Sequence, residues 1–252
     1  MLTSFDGLFW LLTALVLLQF LQTSLHREIQ AVLLITTRHP GVTVSLFSLL
    51  FIPGVFLHEF SHYLMAKLLG IRTGKFSLFP RTLPDGTLQL GYIEAAYTDI
   101  LRDSLVGIAP LLTGILATAL IATQALHLVI IWDTLRNGQW ALFFLGLQTI
   151  PTVPGFWIWF YLAFAISSTF LPSASDRHAW LPLGLVAAAL ILLVIFAGAG
   201  PWLLENLAPP INQFMRGTSL VLLVSLIIHG LSIIPFMFLH RLLTRITRLD
   251  VT

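Results

Sequence analysis

The sequence predicts an all-α polytopic membrane protein, with about six transmembrane helices and a small membrane-associated β-hairpin. Three observations carry that expectation. Hydrophobic residues make up 57% of the 252 positions, charged ones 10%, and the mean hydropathy is +0.92, values far from those of soluble globular domains. Long uncharged runs recur, each able to cross a hydrocarbon core about 30 Å thick. One polar stretch, Gly70 to Asp103, interrupts them.

The first uncharged run, Leu8 to Leu25, is long enough to span, and His26-Arg27-Glu28 is expected to end it. It lacks a positive n-region and carries Asp6 ahead of it, so it reads as a retained span and not a cleaved signal. Ile29 to Thr37 is too short to cross again and reads as an interfacial helix stopped by Arg38-His39-Pro40-Gly41. The second span runs from Val42 to Leu69, with Pro53-Gly54 one turn before His58 as a site for a kink. In the polar stretch, Lys75 to Phe79 and Thr87 to Ile93 alternate in strand fashion around the turn signal Pro84-Asp85-Gly86. Such a hairpin offers an edge for an extended peptide, or is a plain connection.

Ser104 to Ile131 is the third span. Gly138 to Ser175 is uncharged but interrupted by Pro151, Pro154 and Gly155, which predicts a broken helix counted as one crossing. Ala179 to Leu204 and Gly217 to Leu239 complete the set. The whole chain, 1–252, reads as a single transmembrane domain.

Charge sets an expected orientation. With six crossings, Lys67, Arg72, Lys75, Arg81, Arg102, Arg177, Arg241, Arg245 and Arg248 share one side, and Arg27, Arg38, Arg136 and Arg216 the other. Nine against four predicts both termini in the cytoplasm. The net charge of +2 is thus distributed by topology. It forms no nucleic-acid patch, and the lipid bilayer is the expected surrounding. The absence of cysteine excludes disulfides and Cys-ligated metal.

Within the second span stands His58-Glu59-Phe60-Ser61-His62. On a helix the two histidines share a face, with Glu59 beside it. Two imidazoles at this spacing suit Zn²⁺, and a neighbouring carboxylate that does not ligate can take a proton from metal-bound water. Eight His and four Glu placed at random would give the pattern roughly 0.004 times. An ionisable group near a membrane centre costs about 2.5–3.5 kcal/mol on insertion scales, so three in five residues demand a role.

A catalytic zinc takes three protein ligands and leaves one position open. Asp176 lies at the same expected depth as the His pair, and it suits equally a third ligand or an N-cap for the following helix. Glu205 is expected on the opposite side and Glu94 at the end of the hairpin. His229 is mid-span and is read as hydrogen-bonded within the bundle.

From Val42 to Ala197 the chain resembles the site-2 protease family of intramembrane zinc metalloproteases. The resemblance rests on the intramembrane His-Glu-Phe-Ser-His, the hairpin at Lys75 to Ile93, and Ala109-Pro110-Leu111-Leu112-Thr113 in place of a Gly-Pro-x-x-Asn-like element. Ser168 to Asp176 keeps the eight-residue interval of an Asn-x-x-Pro-x-x-x-x-Asp-Gly element. The resemblance implies that His58, His62 and Asp176 hold Zn²⁺ and that Glu59 is the catalytic base. Thr113 and Ser168 would position substrate, with the core lacking a PDZ domain. Thr113 and Ser168 stand where the family has asparagines, the proline is displaced to Pro172, and Arg177 replaces the glycine.

The implied function is hydrolysis of peptide bonds in or near transmembrane segments of another membrane protein. The alternative, motivated by Thr113 and Ser168, is a metal-binding but non-proteolytic subunit of a membrane complex or homo-oligomer. Metal transport would need more ionisable residues along a path than His229 supplies.

Overall fold

The computed structural model describes residues 6–82, 88–96, 98–173, 175–178 and 180–249. Among the described residues it is all-α apart from four short strands. Among the described residues, four helices are long and apolar enough to cross a membrane, or five if one bent pair counts as a span.

Helix α1, Asp6–Thr37, runs unbroken through His26-Arg27-Glu28, where the sequence predicts a stop. Two of these side chains, His26 and Glu28, lie against neighbouring helices instead. The His26 ring packs against Phe47 and Phe51, and Glu28 meets His240 Nδ1 at 2.7 Å. Arg38, in the left-handed region at φ 54°, ends the helix. Helix α2, Pro40–Leu68, starts with Pro40 in its first turn, where a missing N–H costs nothing, and His39 Nδ1 accepts from Val42 N at 3.4 Å.

Strand β1, Thr73–Ser77, pairs antiparallel with β4, Tyr92–Ala95, and β2, Arg81–Thr82, with β3, Leu88–Gln89. The expected hairpin is therefore present as two short ladders. Its turn signal, Pro84-Asp85-Gly86, lies outside the described residues.

Asp99 caps α3, Ile100–Leu120, by accepting from Arg102 N at 3.0 Å, so the helix begins before the predicted Ser104. Hydrogen bonds from the Arg102 and Leu101 backbone, the Arg102 one foremost, hold the Asp99 carboxyl below the ordinary range. A wide turn over Ile121–Ala125 and the left-handed His127 separate α3 from α4, Leu128–Arg136. Helix α5, Trp140–Thr149, and α6, Phe156–Ser167, are the predicted broken helix, bent by 94° at Pro151 to Gly155.

Helix α7, Trp180–Val194, buries no residue. Gly198, at φ 82°, turns the chain into α8, Gly200–Trp202, and the 40-residue α9, Ala208–Thr247.

Helices α1 and α9 run parallel. Gly7 N donates to Asn212 Oδ1 at 2.7 Å and Arg216 forms an ion pair with Asp6, while Glu28 meets His240 further along both. Asp6 and the basic stretch after His240 therefore lie at opposite ends of the pair. Asp6 and Arg216, assigned to opposite sides by the six-crossing charge count, are in contact, which removes the support for placing both termini together. Once Arg216 joins the first group and Arg241, Arg245 and Arg248 leave it, nine against four becomes seven against six, and charge no longer favours an orientation.

Helix α6 runs alongside α2 in the same direction, with Tyr161 Oη donating to the Leu50 carbonyl at 3.0 Å. Gly54 permits their approach, since a Cβ there would collide with the Ala165 carbonyl and the Thr169 hydroxyl. Phe47, Phe51, Phe164 and Phe170, with Leu18, Leu25 and Leu222, fill the core between α1, α2, α6 and α9.

Candidate metal centre

The two histidines of α2 and the segment after α6 converge on one point. His58 Nε2 lies 3.2 Å from His62 Nε2 and 3.6 Å from Asp176 Oδ2, and His62 Nε2 lies 3.2 Å from Asp176 Oδ1. These three residues can hold a metal ion, since the candidate ligand atoms all lie within 4.8 Å of one another. Zn–N bonds of about 2.0–2.1 Å set the edges of a coordination tetrahedron at about 3.3–3.4 Å, close to the spacings here.

Each imidazole is oriented from behind. His58 Nδ1 faces the Thr169 carbonyl at 2.7 Å, and His62 Nδ1 faces the Val106 carbonyl at 2.9 Å. A carbonyl only accepts, so each Nδ1 carries the proton and each Nε2 presents a lone pair. The bonds that Asp176 accepts from Ser173 favour its charged form. Two lone pairs and a carboxylate crowded together repel one another unless a cation sits between them, and the donor set suits zinc.

The helices supply those carbonyls for stated reasons. Pro110 has no N–H, so the carbonyl four residues earlier, that of Val106, lacks a helical partner and is left for His62. Thr169 follows the last turn of α6, where carbonyls are likewise unpartnered. Gly107 lets the Asp176 backbone approach α3, because a Cβ there would collide with the Asp176 carbonyl oxygen. His178 Nε2, 2.8 Å from Asp103 Oδ2, ties the same segment to α3.

Asp176 thus faces the two histidines and does not stand at the N-terminus of the next helix. Its Oδ2 accepts from Ser173 N and Ser173 Oγ, both at 2.7 Å, and α7 begins only at Trp180. Glu59 is buried, 8% exposed, beneath the link between the strands. A Cβ on Gly91 would lie 2.9 Å from Glu59 Cγ and 2.8 Å from Val55 Cγ1, so this link rests directly on the glutamate.

The remaining expected site residues are engaged elsewhere. Thr113 Oγ1 donates back to the carbonyls of Ala109 and Pro110, at 3.0 and 3.2 Å. Ser168 is buried, its hydroxyl 3.0 Å from His229 Nε2. His229 is hydrogen-bonded in the bundle, as expected, and Glu94 Oε2 accepts from Lys75 N within the hairpin at 3.2 Å.

Sequence reasoning missed the carbonyls of Val106 and Thr169 and the role of Gly91. Of these, only Pro110 leaves a readable signal, since a proline inside a helix always frees the carbonyl four residues before it. No family profile, curated protein or solved structure matches this chain.

Proposed function

We propose that the chain is an intramembrane zinc metalloprotease of the site-2 protease type, cleaving peptide bonds in or near transmembrane segments of other membrane proteins. The observation that carries this reading is the meeting of His58, His62 and Asp176 beside Glu59. A zinc ion at such a site polarises a scissile carbonyl and acidifies water. His58, His62 and Asp176 would bind it, with Thr169 and Val106 fixing the imidazole tautomers. Glu59 accepts the proton of the attacking water and returns it to the leaving amine. The link at Gly91 covers Glu59 and limits bulk water around it. The edge of the β1–β4 ladder is the surface on which an unwound substrate segment would lie.

The membrane arrangement belongs to the same proposal. Helices α1, α2 and α3, the bent α5–α6 pair and the α7–α9 stretch make five crossings. An odd number agrees with the parallel α1–α9 pair. Tags at the two termini should then be reached from opposite faces of a sealed vesicle; labelling of both from one face refutes five crossings.

The deciding experiment is cleavage of a co-expressed single-span substrate by wild type and by Glu59→Gln. Loss in the variant is expected, and equal cleavage by both overturns the mechanism. A second reading, a metal-binding but non-proteolytic subunit of a membrane complex, has its own supporting observation: the Thr113 and Ser168 hydroxyls are already bonded within the protein. Stoichiometric co-purification with a larger assembly, and no turnover of any substrate tried, would favour it.

A further inference from the structure

Two helices outside the metal-bearing ones meet at the end of α6. The carbonyls there have no partner within the helix. That of Ser168 accepts from Gln22 Nε2 of α1 at 2.5 Å. The next, that of Thr169, is the one that faces His58 Nδ1. The Ser168 hydroxyl reaches His229 of α9. His229 Nδ1 faces the Ser225 carbonyl at 2.8 Å, so it carries the proton, Nε2 is an acceptor, and Ser168 donates. Both partners are out of solvent, Ser168 at 1% exposure and His229 at 0%, where a hydrogen bond is strong and its loss is not made good by water.

We propose that Gln22 and His229 are positioning residues of the metal centre: through Ser168 they fasten the end of α6, so that the Thr169 carbonyl stays aimed at His58 Nδ1. This rests on reading His58, His62 and Asp176 as metal ligands. If the end of α6 shifts, His58 loses the acceptor that fixes its tautomer, and its Nε2 lone pair no longer faces the site. The same stretch of chain continues to Asp176, eight residues after Ser168, so one clamp registers two of the three ligands. Helices α1 and α9 thereby acquire a role in the metal centre although neither contributes a ligand.

The test is zinc affinity of the purified full-length protein, measured by chelator competition, beside melting of the metal-free form. His229→Ala and Gln22→Leu should bind zinc about 10- to 100-fold more weakly, the range for residues that support a ligand. His229→Gln, which restores an acceptor for Ser168, should recover most of the affinity. Leu18→Ala, a fully buried site on the same helix as Gln22, should lower the melting temperature and leave zinc affinity intact. Should His229→Ala not fold, Ser168→Ala, which removes only the hydroxyl, must show the weakening. Wild-type affinity in His229→Ala, or equal weakening in Leu18→Ala, overturns the positioning role. Asp176→Ala, measured alongside, separates the two readings. If it keeps full zinc affinity, the metal site itself falls and the clamp with it. If it loses zinc while His229→Ala does not, only the clamp falls.

Discussion

Helices α2 and α7 are both long apolar stretches, yet they do opposite things. Helix α7 carries no charge and buries none of its residues. Helix α2 carries two histidines, a glutamate, a lysine, two prolines and two glycines, and it buries Gly54, Glu59 and His62. Hydropathy therefore reports which solvent a helix tolerates and not how closely it packs. What draws α2 inward is the absence of a side chain at Gly54 and the polar groups that find partners on α3 and α6. In an apolar surrounding there is little hydrophobic gain from helix association, so close backbone approach and hydrogen bonds decide the packing.

That contrast can be broken at four positions, taken from the largest expected effect to the smallest. Asp176→Ala removes the proposed third ligand, and we expect zinc affinity to fall by more than the roughly 100-fold that marks the upper range for supporting residues. Metal analysis of the purified variant checks this, and unchanged zinc content would break the three-ligand arrangement. Pro110→Ala restores an N–H that competes with His62 for the Val106 carbonyl. Zinc affinity should drop by about 10-fold while the helix gains a bond, so affinity and stability move in opposite directions. A fall in both would mean that Pro110 matters only for packing.

Gly54→Ala tests the approach of α2 to α6. The added Cβ meets the Ala165 backbone as well as the Thr169 hydroxyl, and about 1–3 kcal/mol of destabilisation is expected in a denaturation series. Leu190→Ala in α7 should change stability by no more than about 0.5 kcal/mol, because the residue is exposed and packs on nothing that would collapse. A cost near that of Gly54→Ala would show that α7 is covered by protein, for instance by a second copy of the chain.

Much of the fold is legible in the order of residues. The break at Pro151 to Gly155 and the antiparallel strands around the polar stretch follow from local rules that proline, glycine and alternation obey anywhere. The end of α1 was not legible. His26-Arg27-Glu28 looks like a stop, but it continues as helix, with Phe47 and Phe51 packed on His26 and His240 paired with Glu28, all distant in sequence. Orientation was not legible for a related reason. The charge rule needs the number of crossings, and that number turns on the parallel pairing of Asp6 with Arg216, a contact across 210 positions.

The sequence by itself determined the His58-Glu59-His62 face, because four-residue spacing on a helix places side chains together whatever the surroundings. It also narrowed Asp176 to two roles. Only the tertiary structure brings Asp176 to the two histidines, by setting the segment after α6 against α2, and only it revealed that backbone carbonyls of Val106 and Thr169 orient the imidazoles. The physical reason is that every residue carries the same carbonyl. Which one is left unpaired, and where it points, is decided by where helices end and how they pack.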